Sequence, residues 1–133
     1  MKSVLLFLLT ASPLVSGAEP GLTNELNGVE IIYSYDDGST YDVQYTAKGV
    51  KYRFLSGDAP TEWWGPFPYR AYKTKHGEYF LGWYEKGFGD QITHLVDLEG
   101  KALYGSGIIV KKNRVIEHFQ KAKIEKIIRN TGP

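Results

Sequence analysis

The fold is decided in the stretch Val29-Glu-Ile-Ile-Tyr-Ser-Tyr35-Asp-Asp-Gly-Ser-Thr40-Tyr-Asp-Val-Gln-Tyr45, where apolar and polar residues alternate on both sides of Asp37-Gly38. Alternation with a period of two is typical of a β-strand that has one buried face. An Asp-Gly pair between two such runs favours a tight hairpin turn, because these residues tolerate the positive φ angles that the turn requires. The stretch therefore predicts two antiparallel strands, Val29–Tyr35 and Thr40–Tyr45.

The alternation continues towards the C-terminus, with turn residues about every ten positions. Gly65, Pro66 and Pro68 interrupt one run, which is predicted to be a bent strand or an edge strand. Gly105 and Gly107 in a later run predict a bulge or a sharp curl. A single helical turn is predicted at Val115–Phe119. Further strands are predicted at Val50–Leu55, Trp63–Lys73 (the bent one), Glu78–Tyr84, Gln91–Asp97, Lys101–Val110 and Ala122–Ile128.

About eight short strands, with no helical segment long enough for a parallel crossover, predict an all-β protein with a meandering antiparallel sheet. Closure into a barrel is the usual way in which such a sheet removes its exposed edges. An eight-stranded barrel has room for one small ligand inside. An open β-sandwich is the alternative architecture.

Composition limits the functional classes. The chain has 133 residues, a net charge of +1 and no cysteine. Its length favours a single domain, and its charge gives no basic field that would favour nucleic acid. The absence of cysteine excludes disulfides, thiolate nucleophiles, Cys-ligated zinc and iron–sulfur clusters. The three histidines lack the spacing of metal ligands, so no metal and no cofactor are predicted.

The N-terminus has the pattern of a secretory signal peptide at residues 1–18. Lys2 gives a positive start, Val4–Leu9 is apolar, and small residues precede the expected cleavage site. The apolar run is too short for a membrane span. We therefore predict an exported protein, periplasmic or secreted, with an N-terminal extension at residues 19–28 and a barrel domain at residues 29–133.

The parity of the strands predicts which side chains share the interior. Tyr33 and Tyr35 lie on one face of the first strand, and Trp83 and Glu85 lie on one face of a later strand. The predicted interior thus contains two phenol hydroxyls, an indole and a carboxylate. The alternative is that the tyrosines are ordinary strand formers with hydrated hydroxyls and that Glu85 begins a solvated loop. His94 either joins this interior or is a structural or exposed strand histidine.

The aromatic pair Trp63-Trp64 lies on the stretch that Gly and Pro interrupt. These side chains either cover the mouth of the barrel and stack on a planar ligand, or fill the end of the barrel. A third possibility is an interaction module that forms a homodimer through the proline-rich strand. The segment Lys111–Arg129 is basic, as a surface for an anionic partner would be. Its alternation of Ile124, Ile127 and Ile128 with charged residues favours instead the hydrated face of a strand.

Several short motifs occur in an order that resembles a known family. They are Tyr33-Ser-Tyr35-Asp-Asp-Gly38, Tyr52-Arg53-Phe-Leu-Ser56-Gly57, Trp83-Tyr-Glu85 and Gly89-Asp90 with a strand after it. Together they resemble the phenolic acid decarboxylases and the related MoaF-like proteins, which are small lipocalin-like barrels of the calycin type. The resemblance runs from about Val29 to Val110, and its later part is more similar to the MoaF-like side.

The resemblance implies roles for particular residues. In the decarboxylases, tyrosines at the positions of Tyr33 and Tyr35 hold the substrate carboxylate, and a glutamate at the position of Glu85 transfers the proton. The family also uses an arginine just before a tryptophan, and that position is Glu62 here.

Two functions follow from these implied roles. The first is a MoaF-like protein that binds a small aromatic or apolar ligand through polar anchors and aromatic walls. The second is a cofactor-free lyase that decarboxylates hydroxycinnamates, with Glu85 as proton donor and the two tyrosines as carboxylate holders. The predicted ligand-binding residues are Tyr33, Tyr35, Trp63, Trp83, Glu85 and His94.

Overall fold

Period-two alternation produces strands throughout the part of the chain that the computed structural model describes, residues 21–56 and 62–130. The predicted signal peptide lies outside the described residues. Within them the regular structure is nine β-strands and no helix, so the all-β prediction is confirmed. The strands are β1 (Val29–Tyr35), β2 (Thr40–Thr46), β3 (Gly49–Phe54), β4 (Trp64–Phe67), β5 (Tyr69–Lys73), β6 (Tyr79–Glu85), β7 (Asp90–Asp97), β8 (Ala102–Lys111) and β9 (Arg114–Arg129).

All nine strands belong to one antiparallel sheet with the order β4-β3-β2-β1-β9-β8-β7-β6-β5. The two edge strands, β4 and β5, are consecutive in sequence and are separated only by Pro68. This single bent segment pairs with β3 through its first half and with β6 through its second half. The sheet is therefore a nearly closed barrel, in which the proline bend carries the chain from one edge to the other.

The bent segment approaches β3 closely enough to require glycine. Gly49 has a φ angle of 140°, and a Cβ atom there would lie 2.3 Å from the carbonyl oxygen of Phe67. Such a distance is far inside van der Waals contact, so only a residue without a side chain fits. This glycine lets β4 pair with β3 at the seam of the barrel.

The predicted helical turn was wrong, and the bulge, one of the two features predicted at Gly105 and Gly107, is absent. Val115–Phe119 is part of the continuous strand β9, which pairs with β8 from Arg114 to Lys123. A short apolar run satisfies its backbone groups equally well as a strand once a partner strand lies beside it. No bulge occurs at Gly105 or Gly107, since the registers with β7 and β9 continue through both residues without a shift. The sheet instead has an irregularity between β1 and β9, at Ile32/Tyr33.

The interior is divided into two halves along the barrel axis. We call the end that contains Tyr35, Glu85 and Lys111 the upper end. The lower half is filled by buried apolar side chains, which form a solid core. Its members include Val29, Ile31, Val43, Val50, Ala71, Leu81, Val96, Leu103 and Ile124.

Strands β8 and β9 extend beyond the rest of the sheet at the upper end. The pairing of β7 with β8 ends at Ile108, and the pairing of β1 with β9 ends at Ala122. Residues 109–121 thus form a two-stranded ribbon that rises above the barrel wall. We call this segment the β8–β9 ribbon. The described residues include no helix of the length and apolarity that a membrane span requires.

Candidate functional site

The upper half of the barrel contains a cavity of about 250 Å³. Inward-facing side chains of β1, β2, β3, β6, β7, β8 and β9 surround it, because their parity directs them to the axis. Five of the six predicted ligand-binding residues lie on its wall. The lining residues are Tyr33, Tyr35, Tyr41, Tyr52, Trp83, Glu85, Asp90, Ile92, His94, Ile109, Lys111 and His118.

Glu85 is the buried carboxyl group of this cavity and is only 2% exposed. Its Oε2 accepts a hydrogen bond of 2.9 Å from the indole Nε1 of Trp83. The hydroxyl of Tyr52 donates to both carboxyl oxygens, at 3.0 and 2.9 Å. Burial raises the pKa of Glu85, although these two hydrogen bonds act in the opposite direction. Glu85 is therefore a fixed interior group and not the start of a solvated loop.

Tyr52 is one of the cavity residues that the predicted site lacked. It lies on β3, across the barrel from Glu85 on β6. Burial, and then the neighbouring Glu85 carboxylate, raise the pKa of Tyr52 far above its usual value, so its hydroxyl remains a donor at neutral pH. The inward parity of Tyr52, which lies two residues after the buried Val50, is the sequence signal that could have identified it.

Tyr33 and Tyr35 face the cavity from β1, and both are more than nine-tenths buried. Their rings meet edge to face, with centroids 5.3 Å apart. Burial raises the pKa of Tyr35 to about 12 and that of Tyr33 well above its usual value. Both hydroxyls therefore stay neutral. The Tyr33 hydroxyl donates to that of Tyr35, and the Tyr35 hydroxyl can in turn donate to an acceptor inside the cavity.

Gly105 on β8 makes room for three polar side chains. A Cβ atom at this position would lie 2.7 Å from the hydroxyl oxygen of Tyr35, 3.2 Å from Nε2 of His118 and 3.4 Å from Cδ2 of His94. The three side chains pack against the backbone of Gly105, and the side chain of a larger residue at this position would displace them. His118 points into the cavity because residue 118 belongs to strand β9. A helical turn was predicted there from the sequence, so strand parity was not applied to His118.

His94 is buried within the wall of the cavity and is 2% exposed. Its ring meets those of Trp83 and Tyr33 edge to face, at centroid distances of 5.1 and 5.9 Å. Burial, and then the nearby His118, lower the pKa of His94 to about 3. The imidazole is therefore neutral, and its Nδ1 has no hydrogen-bond partner among the described residues.

Charged groups lie at the upper rim of the cavity. Lys111 on β8 supplies a cation and Asp90 on β7 supplies a carboxylate. Asp90 also accepts a hydrogen bond of 2.8 Å from the backbone N–H of Val110, which ties β7 to the base of the β8–β9 ribbon. In the described part of the chain, no three His, Asp or Glu side chains come together as a metal site would require.

Trp63 does not line the cavity, and the prediction that it forms an interior wall was wrong. Its ring lies under the guanidinium of Arg53, 4.5 Å from centroid to Cζ, with the Lys51 ammonium 5.5 Å away. Arg53 faces outward, because it pairs with Asp42 on the outer face of β2. Trp63 precedes β4 and so has no strand parity to direct it inward. Glu62 is exposed on the same outer surface, away from the tyrosine pair.

Comparison with known proteins assigns the chain to no family. No protein-family model matches the chain, and no curated protein matches it either. The cavity and the side chains on its wall therefore carry the functional assignment.

Proposed function

We propose that this protein is an exported, MoaF-like barrel that binds a small aromatic ligand in its upper cavity. One observation carries the proposal: the cavity has aromatic walls, and hydrogen bonds from Tyr52 and Trp83 hold a buried carboxyl group, that of Glu85, in its wall. The signal-peptide pattern at residues 1–18 supports export to the periplasm or the exterior. Sites of this kind combine apolar walls with a few polar groups that orient the ligand.

The volume of the cavity favours a ligand with a single ring. An apolar protein cavity of roughly 150 Å³ holds benzene, and pockets for drug-sized ligands start at about 300 Å³. The present value of about 250 Å³ lies between these limits. A benzene ring with one or two small substituents is the expected size.

The polar groups favour a ligand that carries a hydroxyl group. Two donors hold Glu85, and its carboxyl oxygens can accept a further hydrogen bond from a ligand. Tyr35 and His118 offer polar atoms on the opposite wall, and Lys111 lies at the rim. A phenol could donate its hydroxyl hydrogen to Glu85 while its ring packs against the aromatic walls.

This proposal predicts discrimination between p-cresol and toluene, which differ by one hydroxyl. We expect p-cresol to bind at least about tenfold more tightly, because hydrogen bonds to charged groups contribute about 1.5–3 kcal/mol. Calorimetry would give the dissociation constants. In Glu85→Gln the preference for p-cresol should fall about tenfold. The matched control Glu99→Gln changes an exposed turn residue and should leave it intact. Absence of binding by every single-ring probe would contradict the proposal.

The second candidate function is the lyase, and the raised pKa of Glu85 is the observation that favours it. A buried carboxyl group with a raised pKa is a better proton donor, and it can transfer a proton to a carbon atom as carbon dioxide leaves. If the protein only binds, we expect the ultraviolet absorbance of coumarate or ferulate to persist at high protein concentration. Loss of that absorbance in the wild type but not in Glu85→Gln would establish the lyase instead.

A further inference from the structure

The outer face of strands β6 to β9 exposes large hydrophobic side chains. They occupy the positions that alternate with the inward-facing residues, so they share one surface. Phe119 is 81% exposed and Val115 is 64% exposed. The outer face of β2 and β3, by contrast, carries charged groups such as Asp42 and Arg53. We call the apolar surface the β6–β9 face; its exposed hydrophobic members are Phe80, Tyr84, Tyr104, Ile108, Val110, Val115 and Phe119.

The β6–β9 face is at the upper end of the range of apolar patches on isolated chains. Fully covered aromatic side chains bury 150–250 Å² each, so these seven partly exposed side chains present on the order of 600 Å². Monomeric proteins rarely expose larger contiguous apolar patches, and a stable interface needs roughly 800 Å² per partner. The face therefore supplies most of the area that one side of a protein interface requires.

The strand registers make this face self-complementary. Phe119, Ser106, Thr93 and Gly82 are paired neighbours, and they form one line across the four strands. Two residues to one side of the line, the next row contains Lys121, Tyr104, Leu95 and Phe80. Two residues to the other side, the matching row contains Glu117, Ile108, Gln91 and Tyr84.

We propose that two copies of this chain form a dimer through their β6–β9 faces, with the two-fold axis along the line through Phe119. A rotation about this line places each row over the opposite row of the partner, as an isologous interface requires. Lys121 then faces the partner's Glu117, and Tyr104 faces the partner's Ile108. The small side chain of Ser106 lies on the axis, where the two sheets approach most closely.

The charges within the β6–β9 face are complementary to a second copy of the chain. Glu117 lies within the apolar face, directly opposite Ile108, and makes no ion pair among the described residues. In the proposed dimer, Lys121 of the other copy compensates it.

The proposed dimer is a property separate from ligand binding, but its interface includes the outer side of a strand pair that lines the cavity. The β8–β9 ribbon has the contact face on its outer side, while Ile109, Lys111 and His118 on its inner side line the cavity. A two-stranded ribbon without further contacts is only marginally stable. The partner would therefore hold in place the part of the cavity wall that rises above the barrel.

Sedimentation velocity on the purified protein tests the proposal by charge reversal. We expect the wild type to have twice the mass of one chain. Glu117→Lys and Lys121→Glu each create two like-charge contacts across the axis and should weaken the dimer at least about tenfold. The exchange variant with both substitutions should restore it. Glu99→Lys, the same charge change in an exposed turn, is the control and should leave the dimer intact.

Three results would overturn the proposal. One is a wild type that remains monomeric at about 1 mM, a concentration that detects even a very weak complex. Another is a dimer that neither single reversal weakens. The last is a dimer that the single reversals weaken but the exchange variant does not restore. Because all of these residues are exposed, circular dichroism should show unchanged folding in each variant.

Discussion

Acidification from about pH 7 to about pH 4 is expected to lower the free energy of unfolding by about 3 kcal/mol through His94 alone. The pKa of His94 is about 3 in the folded protein, against 6.5 for an unperturbed histidine. Between these values the unfolded chain binds a proton that the folded protein does not. The contribution of His94 is therefore complete above pH 6.5 and is lost as the pH falls towards 3.

Other groups of the cavity modify this pH dependence. Burial also lowers the pKa of His118, so this residue acts in the same direction as His94. Burial raises the pKa of Glu85, which has the opposite effect. Above the usual pKa of a glutamate, the folded protein binds a proton at Glu85 more strongly than the unfolded chain does. That contribution is therefore present at low pH and is lost as the pH rises through the raised pKa.

Urea unfolding at the two pH values measures the effect. His94→Phe retains a ring between Tyr33 and Trp83 and removes the unpartnered Nδ1, so its stability should depend much less on pH. The exposed turn residue His76 provides the matched control His76→Phe. A direct NMR titration of the wild type should find the His94 imidazole still neutral at pH 5. A protonated ring at that pH, or equal pH dependence in both variants, would refute the prediction.

Arg53→Met is expected to destabilise the protein by about 2 kcal/mol. Asp42 is 2% exposed, and its Oδ2 accepts hydrogen bonds from Nε and Nη2 of Arg53 at 3.2 and 3.1 Å. Removal of one member of a buried ion pair costs about 3–5 kcal/mol, because the other charge remains without a partner. Here the Arg53 side chain is one-third exposed, so water reduces the expected loss.

Neighbouring groups make the position of Asp42 unusually sensitive. Its Oδ1 has no hydrogen-bond partner among the described residues. Burial, and then the Asp42 carboxylate, raise the pKa of Glu30 on the adjacent strand. Without Arg53, the carboxyl groups of Glu30 and Asp42 would share this part of the outer face without the guanidinium that pairs with Asp42.

Urea unfolding at neutral pH tests the ion pair. Arg70→Met removes an exposed arginine of β5 and should change stability by less than about 0.5 kcal/mol. In the background of Arg53→Met, the additional change Asp42→Asn removes the uncompensated charge and should restore part of the loss. Equal effects of Arg53→Met and Arg70→Met would show that the pair does not stabilise the fold.

The strands and the faces of Tyr33, Tyr35, Trp83 and Glu85 could be predicted from sequence, because a period of two fixes both. Contacts across the barrel could not. The hydrogen bond of Tyr52 with Glu85 joins residues on β3 and β6, and only the closure of the sheet brings these strands to opposite walls. Parity shows that a side chain points inward, but it does not show which side chain it meets.

Irregular segments set the other limit on prediction. Trp63 lies outside any strand, so no periodicity indicated whether it faces the axis or the exterior. Val115–Phe119 is a short apolar run that fits a helix or a strand, and its pairing with β8 decides between them. From the sequence, Gly105 predicts a bulge or a sharp curl of the backbone. In the structure it leaves room for the side chains of Tyr35, His94 and His118.

The division of the interior into a solid lower half and a hollow upper half has a consequence for how the protein can change. Mutational tolerance should be graded along the axis, low among residues such as Ile31 and Leu103 and higher around Ile92 and Ile109. Substitutions at the upper positions would change the shape of the cavity, while the apolar core of the lower half keeps the chain folded. The same scaffold could thus acquire new chemical preferences through a few neighbouring substitutions, and it offers a starting point for directed evolution of small-molecule receptors.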